Sequence, residues 1–583
     1  MIPYTRSLKS IANIYRKRSE EMNIIQKWLD YPELDKDLRA ELQNMTEEEL
    51  KEAFYADLTF GTGGIRGLIG PGTNRINIYT LRKVNYGYGN FLLKQSENRT
   101  AVIAYDSRRL SDVFARESAR VLATLGIKVY LFKTITPTPV LSFAIRHLKT
   151  GGGIVITASH NPKIYNGYKV YDDTGCQLLP AAAARVTEEI AAAPDPFAIA
   201  VRDFDDLVVE KIIEYLDDSV YREYLEKVKS AQFRPDLSKE GLRVVFTPLH
   251  GTAGYLGKEL LKSLGYDFIP VKEQMIPDPD FSTVPSPNPE TLPTFALAIK
   301  YAREFAADVC VATDPDADRV GVVVRHKGDY VLLSGNQTGA LVMKYLVENR
   351  KTTKRAFLIN TIVTGELASV IARRHNVEVM STLTGFKYIG EKVAGLSPLD
   401  KEFLFAFEES NGYLLGDFTR DKDAFQGMTI ILETVNYYRL QGKTLVDALA
   451  DLDAEYGYYR DELINLEFAG LSGLKRIAAI MNHFRTARYD SLAGYDVAAK
   501  EDYFLRERTG YKSGKLTLPQ ADVIKYYLND GDWLVLRPSG TEPKLKVYIS
   551  AHGDTSEKAL AKIAALKAEV IKIIEEAGNI NGK

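Results

Sequence analysis

Between residue 101 and about residue 450, short runs of β-branched residues alternate with longer stretches rich in Ala, Leu and Glu. Strand-like runs lie at 101–105, 241–246, 309–312, 357–359 and 403–407. This alternation is typical of βαβ units, in which a helix returns the chain to the next parallel strand. Because 583 residues are too many for one hydrophobic core, we expect three or four domains, most of them built on mainly parallel sheets.

The two ends of the chain differ from this pattern. The first 50 residues place Trp28, Leu38 and Leu42 among many charges at helical spacing, which predicts an amphipathic extension that packs on the first domain. After about residue 455, strand-like runs at 533–536 and 545–550 flank a polar loop, and a helical stretch follows at 556–577. The C-terminal part is therefore predicted to be an α+β domain.

The overall charge is nearly balanced, with 75 basic and 77 acidic residues and a pI of about 6.5. This balance gives no reason to expect nucleic acid or a membrane as a partner. The polar N-terminus resembles no signal peptide, and no apolar stretch is long enough to span a bilayer. Cys176 and Cys310 do not suggest a disulfide framework, so we expect a cytoplasmic protein.

Polar loops follow several of the predicted strands, at the edge where open α/β sheets bind ligands. The segment TASHNP at 157–162 follows the apolar run 153–156 and places Ser159 on a turn, where its hydroxyl can face a cleft. An ordinary surface turn is the alternative, since Ser, His, Asn and Pro favour turns in any protein.

A second loop, TDPDADR at 313–319, follows the apolar run 309–312. Asp314, Asp316 and Asp318 alternate along it, so their carboxylates point to one side and need a cation. A set of oxygen ligands favours Mg²⁺. A calcium-binding EF-hand is excluded, because Arg319 and Arg325 stand where the glycine and the bidentate Glu are required. A solvated acidic turn is the remaining alternative.

Four loops in chain order resemble those of the α-D-phosphohexomutases, a family that includes phosphoglucomutases, phosphomannomutases and phosphopentomutases. They are TASHNP at 157–162, DPDADR at 314–319, EESNGY at 408–413 and RPSGTEP at 537–543. Shorter segments that also resemble the family are GTGGIRG at 61–67, YDSR at 105–108, TPTP at 136–139, PLHG at 248–251, PNPE at 287–290 and TGFK at 384–387. The resemblance therefore spans nearly the whole chain.

This resemblance implies three similar α/β domains with mainly parallel mixed sheets and a C-terminal α+β domain, arranged around a central cleft. We predict an N-terminal helical extension at 1–50 and α/β domains I at 51–212, II at 213–325 and III at 326–454. The α+β domain IV is predicted at 455–583.

The family pattern also assigns roles to individual residues. Ser159 is expected to carry a phosphoryl group, and Mg²⁺ is expected to bind Ser159, Asp314, Asp316 and Asp318. Residues expected to hold the sugar or its phosphates are Arg319, Gly385, Lys387, Glu408, Ser410, Arg537, Ser539, Gly540 and Thr541. An arginine, two hydroxyls and a glycine suit the last of these loops to phosphate binding.

Proton transfer is the hardest role to assign from sequence. Some family members have a histidine two residues after the sugar-binding serine, whereas this chain has Gly412. Lys422, in the family-like segment RDKD at 420–423, is the candidate acid or base, and we expect nearby cations to depress its pKa. His160 is a second candidate, and Arg66 is expected to face the phosphoserine. Gly63 stands where many relatives have a serine, so that hydroxyl is absent here.

The implied function is the interconversion of α-D-glucose 1-phosphate and glucose 6-phosphate through a phosphoserine enzyme and a glucose 1,6-bisphosphate intermediate. Mg²⁺ is the expected cofactor, glucose 1,6-bisphosphate the expected activator and sugar phosphates the expected partners. A phosphopentomutase or phosphomannomutase is an open alternative, as are a metal-dependent phosphatase and a non-catalytic sugar-phosphate sensor. A monomer is expected.

Overall fold

The computed structural model describes residues 23–61, 63–95, 97–350, 354–396, 401–468, 470–539 and 544–579. The first 22 residues of the predicted N-terminal extension lie outside the described residues, as do Gly540 and Thr541 of the predicted phosphate loop. Within the described ranges, no helix combines the length and the apolar character needed to cross a membrane.

The N-terminal segment is helical at 23–30 and continues with helices α1 (Lys36–Asn44) and α2 (Glu47–Phe54). Thr46 and Glu49 form a reciprocal capping box that begins α2. The segment buries Trp28 in an aromatic cluster with Tyr79 and Phe197 of the first α/β domain. This cluster fixes the segment on that domain.

Domain I is a six-stranded mixed sheet with strand order β1-β5-β4-β2-β3-β6. Its strands are β1 (Gly64–Leu68), β2 (Thr100–Tyr105), β3 (Lys128–Leu131), β4 (Gly152–Ile156), β5 (Tyr165–Asp172) and β6 (Ile213–Tyr215). Its helices are α3 (Ile78–Gln95), α4 (Ser111–Thr124), α5 (Thr138–Leu148), α6 (Pro180–Ala191) and α7 (Phe204–Val209). Every residue of β4 is buried, as expected for a central strand covered on both faces.

Domain II is a five-stranded mixed sheet with strand order β11-β10-β9-β7-β8. Its strands are β7 (Arg243–Thr247), β8 (Asp267–Pro270), β9 (Val309–Thr313), β10 (Val320–His326) and β11 (Asp329–Leu333). Its helices are α8 (Ser219–Ser230), α9 (Ala253–Ser263) and α10 (Ala296–Glu304), with 3₁₀ turns at Lys272–Met275 and Leu292–Phe295.

Domain III is a four-stranded mixed sheet with strand order β13-β12-β14-β15. Its strands are β12 (Ala356–Thr361), β13 (Val377–Thr382), β14 (Glu402–Glu408) and β15 (Gly412–Leu414). Its helices are α11 (Gly335–Asn349), α12 (Glu366–Arg374), α13 (Phe386–Leu396), α14 (Ala424–Leu440) and α15 (Leu445–Tyr456).

The three α/β domains share one supersecondary unit. In each, a strand with a parallel neighbour (β4, β9 or β14) ends in a polar loop and returns as an antiparallel strand (β5, β10 or β15). Each loop contains one non-glycine residue with left-handed backbone, namely Ser159, Ala317 and Asn411. The domains are therefore repeats at the level of backbone geometry, although their sequences have diverged.

Domain IV is an antiparallel sheet that joins β16, β23, β22, β21, β18, β19 and β20 in this order, and β17 pairs with β18. Its strands are β16 (Tyr458–Glu467), β17 (Ser491–Leu492), β18 (Tyr495–Asp502), β19 (Glu507–Gly510), β20 (Gly514–Lys515), β21 (Ile524–Leu528), β22 (Trp533–Pro538) and β23 (Lys544–Gly553). Its helices are α16 (Gly470–Thr486) and α17 (Ser556–Asn579). The predicted fold class, three α/β domains and one α+β domain, is confirmed.

Strand pairing and helix continuity correct the predicted domain limits. The limit after residue 212 precedes β6, which pairs in parallel with β3 of domain I. The limit after residue 325 cuts β10, which pairs with both β9 and β11. The limits after residues 50 and 454 fall inside α2 and α15. Short edge strands were missed because their hydrophobic pattern is too brief to separate from a loop.

Buried polar contacts join the α/β domains at their interfaces. Thr138 at the start of α5 donates through its backbone N–H to the carbonyl of Asp316 (2.9 Å). The hydroxyls of Tyr171 and Tyr224 each donate across 2.7 Å to carboxylates of the segment before α14, on Asp421 and Asp423. These contacts hold the loop-bearing edges of the three sheets towards one another.

Candidate active site

A cleft of about 860 Å³ lies where the four domains meet. It brings together residues from all four predicted loops, which are separated by up to several hundred positions in the chain. Predicted site residues that line it are Arg66, Ser159, His160, Asp318, Arg319, Gly385, Glu408, Ser410, Lys422, Arg537 and Ser539. Asp314 and Asp316 lie fully buried beneath its floor, beside Asp318.

Ser159 lies just beyond the carboxyl end of β4 and is 3% exposed. Its backbone is left-handed, with φ of 50°, and its N–H donates to the hydroxyl of Thr157 (2.8 Å). This tight turn aims the Ser159 hydroxyl at the neighbouring domain, where it donates to Oδ2 of Asp314 across 2.6 Å. The strand, turn and carboxylate together fix the direction of the hydroxyl.

Arg108 supports the serine loop (157–162) through hydrogen bonds. Its buried guanidinium donates to the carbonyls of Ser159, Asn161, Pro162 and Tyr165. One cation therefore satisfies four carbonyls, three of them in the loop after β4 and one at the first residue of β5. The family-like segment at 105–108 pointed to this region, but the sequence did not show that Arg108 supports the serine.

The aspartate loop folds around its own first carboxylate. Oδ1 of Asp314 accepts the backbone N–H groups of Asp318 and Arg319, each across 3.0 Å. The left-handed backbone of Ala317 closes the turn. The three carboxylates converge, with one ligand oxygen from each within 4.8 Å of the others.

This cluster fits a divalent cation. Oδ1 of Asp316 and Oδ1 of Asp318 are buried and lack any hydrogen-bond partner among the described residues. Unsatisfied buried carboxylate oxygens are costly, and a hard cation satisfies such a set. Asp314, Asp316 and Asp318 could thus hold a metal, with the Ser159 hydroxyl close beside them.

Two lysines, Lys169 and Lys422, contact the outer side of this cluster. The ammonium of Lys169 lies 2.8 Å from Oδ2 of Asp316 and 3.2 Å from Oδ2 of Asp318. Nζ of Lys422 lies 3.1 Å from the same Asp318 oxygen. Burial and the neighbouring carboxylates raise the pKa of Asp314, whereas for Asp318 the nearby lysines outweigh burial and lower the pKa.

The expectation that cations depress the pKa of Lys422 is wrong. Burial does lower it, but Asp318, Asp421 and Glu408 outweigh burial and raise the pKa above its ordinary value. The side chain crosses directly over Gly412, where an added Cβ would lie 2.3 Å from Cδ of Lys422. The glycine found in place of the histidine of some relatives therefore provides the space that Lys422 occupies.

His160 and Arg66 both contact residues of the serine loop. Nδ1 of His160 is 3.2 Å from the Ser159 hydroxyl. Burial, with Arg319 and Arg66 nearby, lowers the pKa of His160 well below its ordinary value, so the imidazole is neutral at pH 7. Arg66 donates to the side-chain oxygen of Asn161 (2.8 Å) in the serine loop. His160 and Arg66 therefore provide polar contacts around the Ser159 hydroxyl, and neither changes its charge near pH 7.

The loop at 408–413, which follows β14, contacts two other loops. Oε1 of Glu408 accepts the N–H of Gly385 across 3.0 Å, and Gly385 needs its positive φ of 113° to make this turn. Arg319 donates to the carbonyl of Ser410 (3.2 Å) and forms an ion pair with Glu290. Glu290, which also lines the cleft, was not predicted as a site residue.

Lys387 lies next to residues that line the cleft. Its neighbours Gly385 and Phe386 line the cleft, but Lys387 is 7% exposed and is not among the lining residues. Burial, with a further contribution from the charge of Arg537, lowers its pKa to about 8. Burial beside Glu408 likewise raises the pKa of Glu409 to about 7.

Domain IV brings basic side chains to the far end of the cleft, where Asp461, Glu462 and Glu467 of β16 also line it. Arg537 on β22 and Lys546 on β23 are direct cross-strand partners, and both line the cleft with Ser539, Lys544 and Tyr548. Like charges opposite each other on a sheet are unfavourable unless an anion lies between them. Burial and the charge of Arg537 lower the pKa of Lys546. The sequence showed Arg537 but missed Lys546, because nothing in a strand pattern reveals its cross-strand partner.

The chain matches family models over most of its length. The models are described as phosphoglucomutase/phosphomannomutase alpha/beta/alpha domains I, II and III, at residues 57–196, 222–328 and 334–456, and as the C-terminal domain at 463–573. Each matched range contains one of the four loops.

Named relatives cover nearly the whole chain. A protein named phosphoglucomutase from Staphylococcus haemolyticus (strain JCSC1435) is 40% identical over 537 residues, which are 91% of this chain and 97% of that protein. One of the same name from Staphylococcus epidermidis (strain ATCC 12228 / FDA PCI 1200) is 39% identical over 92% of this chain and 98% of its own. The solved structure of a putative phosphomannomutase from Thermus thermophilus has a TM-score of 0.67 at 26% identity, covering 89% of this chain and 99% of its own.

Proposed function

The chain belongs to the phosphoglucomutase/phosphomannomutase family, and on this basis we propose that it interconverts α-D-glucose 1-phosphate and glucose 6-phosphate. The observation that carries the proposal is one cleft with a hydroxyl held at a carboxylate cluster on one side and a basic site on the other. A mutase must hold both phosphates of one intermediate, and this cleft has a cationic group for each.

We propose that Ser159 is the residue that carries the phosphoryl group. The group passes to the free hydroxyl of a sugar monophosphate: the bond from phosphorus to Oγ breaks as the bond to the sugar oxygen forms, and the proton of the sugar hydroxyl is transferred to Oγ through a base. The product is glucose 1,6-bisphosphate. After the bisphosphate turns over in the cleft, its other phosphoryl group returns to Ser159, and the proton of the Ser159 hydroxyl passes to the sugar oxygen that is released.

The residues around Ser159 support this cycle. In the unphosphorylated enzyme the Ser159 hydroxyl donates to Asp314, which holds Oγ beside the carboxylate cluster. We assign Arg66 and the neutral His160 to a phosphate on Oγ, which their contacts with Asn161 and with the Ser159 hydroxyl support. Lys422, kept protonated by the carboxylates around it, is the group we assign to donate a proton to the sugar oxygen.

Mg²⁺ is the metal we propose for Asp314, Asp316 and Asp318, because a set of oxygen ligands beside a phosphate suits this ion. When bound, it would offset negative charge on the transferring phosphoryl group. The chain itself supplies the position of the hydroxyl, the proton donor and the distal cations.

The distal phosphate is assigned to Arg537, Ser539 and Lys546, with the sugar ring between them and Ser159. Glu408 and Ser410 also line the cleft, which supports assigning them to the ring hydroxyls of the sugar. A phosphatase would need no second phosphate site, so the basic far end favours a mutase. We expect added glucose 1,6-bisphosphate to activate the enzyme by phosphorylating Ser159.

A product assay tests this function. Purified protein with Mg²⁺ and a trace of glucose 1,6-bisphosphate is given glucose, mannose or ribose 1-phosphate, and the products are followed by ³¹P NMR. We expect the highest kcat/KM with glucose 1-phosphate. A higher value with mannose 1-phosphate would favour the phosphomannomutase alternative. The Thermus thermophilus structure to which this chain is similar carries that name. Release of inorganic phosphate alone would indicate a phosphatase.

Two further assignments follow from the same proposal. We propose a cytoplasmic location, because Cys176 and Cys310 are both unpaired and buried and suit a reducing compartment. We also propose a monomer, since all the groups assigned to the reaction come from one chain. Size-exclusion chromatography with light scattering measures the latter directly.

A further inference from the structure

A second cavity, of about 340 Å³, lies at the junction of domains I and III, away from the cleft. Arg146 on α5, Lys149 just after α5 and Arg420 in the segment before α14 line it. Among the described residues, the only acidic one in its lining is Asp173. We call this space the junction cavity.

The cations of the junction cavity are compensated only in part, by Asp173 in the lining and by the charge of Asp417, which acts on Arg146. Within the described ranges, none of the three forms an ion pair with a carboxylate. The Nε of Arg420 is buried and has no hydrogen-bond partner among the described residues. Burial and the charge of Arg420 lower the pKa of Arg146, and the charge of Asp417 offsets this only in part. A buried guanidinium N–H without an acceptor costs free energy, and an anion would satisfy it.

A structural role alone does not account for this arrangement. Arg146 and Lys149 lie at the C-terminal end of α5, where cations interact favourably with the helix dipole. Arg420 comes from a different domain, so the end of α5 does not explain why a third cation lies at this cavity. Its backbone N–H donates to the hydroxyl of Ser142 (2.9 Å), and Arg146 donates to the carbonyl of Asp417. These contacts hold two arginines of separate domains at one cavity.

We propose that the junction cavity binds a phosphate group, either inorganic phosphate or that of a small phosphomonoester, and that this ligand ties domain III to domain I. Arginines present paired N–H donors that match phosphate oxygens, and Lys149 adds a compact charge. The volume is at the small end of ligand sites, which favours a phosphate group with few further atoms.

The junction cavity is separate from the proposed active site. It lies beside Thr150 and Gly151, at the start of β4, whereas Ser159 follows the other end of that strand. At the usual rise of a strand, the two sites are roughly 20 Å apart. Arg420 nevertheless precedes Lys422 by two residues, and Lys422 contacts Asp318. An anion on Arg420 would therefore restrain the segment that carries the proposed proton donor.

Local hydrogen exchange distinguishes this site from phosphate binding in the cleft. The full-length protein with Mg²⁺ is titrated with inorganic phosphate and, in a separate arm, with glycerol 1-phosphate, and exchange is followed by mass spectrometry at 145–151 and 416–421. We expect dose-dependent protection of both segments. Protection by either ligand supports the proposal, and the ligand active at the lower concentration identifies the source. Absence of protection with both would overturn it.

Matched variants make the test specific. Arg420→Gln should raise the ligand concentration that gives half-maximal protection about tenfold or more, because a charge-assisted pair of contacts is lost. Asp173→Asn should lower it severalfold by removing the opposing charge. Arg537→Ala, in the cleft, should leave it within about twofold. Arg420→Lys, which keeps the charge, should give an intermediate value and guards against a folding defect. An unchanged concentration in both Arg420 variants would refute the site.

Discussion

The hydroxyl of Ser159 lies 2.6 Å from the carboxylate of Asp314, although 155 positions and a domain boundary separate the two residues. Each residue follows the buried end of a strand, β4 or β9, in the same kind of supersecondary unit. The contact arises because domains I and II turn these equivalent edges towards each other. The chemistry of the cleft therefore depends on domain packing as much as on either loop.

We expect Ser159→Ala to reduce mutase activity at least about a thousandfold, because no hydroxyl is left to carry the phosphoryl group. Intact-mass spectrometry after incubation with glucose 1,6-bisphosphate should show one added phosphate in the wild type and none in the variant. Ser230→Ala, at an exposed helix end, is the matched control and should behave like the wild type. Full activity in Ser159→Ala would rule out the covalent relay.

Removal of the metal should abolish activity reversibly. Dialysis against a chelator is expected to inactivate the enzyme, and added Mg²⁺ to restore it. Asp316→Asn should bind Mg²⁺ at least about 100-fold more weakly, because a charged ligand with a free buried oxygen is lost. Metal content is measured by mass spectrometry of the dialysed protein, with the exposed Asp329→Asn as control. Undiminished turnover in metal-free buffer would contradict this assignment.

The close approach of Gly412 and Lys422 gives a test of proton donation. Lys422→Met should lower kcat by about 100-fold to 10,000-fold. Gly412→Ala should also lower kcat, because its Cβ would displace the stem of Lys422. Gly395→Ala is the control, since an added Cβ there meets no atom within 4 Å. If Gly412→Ala kept full kcat, the position of Lys422 would not matter for the reaction.

The pKa of about 8 for Lys387 predicts a pH dependence. Burial disfavours the charged form, so the positive charge is present below pH 8 and lost above it. Between pH 7 and 9 the charged share falls from about nine tenths to about one tenth. If this charge helps to hold the anionic substrate, kcat/KM should fall over that range in the wild type and stay flat in Lys387→Arg. The same fall in both proteins would assign the titration to another group.

Arg537→Ala should weaken the grip on the distal phosphate. The lost charge-assisted contact is worth on the order of a few kcal/mol, which corresponds to a 10-fold to 100-fold rise in KM. The variant should also need more added glucose 1,6-bisphosphate, because the intermediate escapes more often. Steady-state kinetics with and without bisphosphate measures both effects, and the exposed Arg488→Ala is the control. Unchanged KM and bisphosphate dependence would remove domain IV from the mechanism.

The helix and strand patterns predicted much of the fold. The strand runs before Ser159, Asp314 and Glu408 lie in β4, β9 and β14, and the C-terminal helix begins at Ser556 as expected. These signals are local, since burial on both faces of a strand or on one face of a helix leaves a mark in neighbouring residues. Short edge strands such as β6 leave almost no such mark, so the domain limits were misplaced.

The sequence by itself determined the loops, their chemical character and the family they resemble, because those depend on residues adjacent in the chain. Only the tertiary structure decided the partners: Lys169 on the aspartate cluster, Lys546 opposite Arg537, and Arg420 facing Arg146. It also reversed the expected pKa shift of Lys422. The physical reason is that burial and Coulomb interactions act through space, and the charges nearest to each of these side chains come from distant parts of the chain.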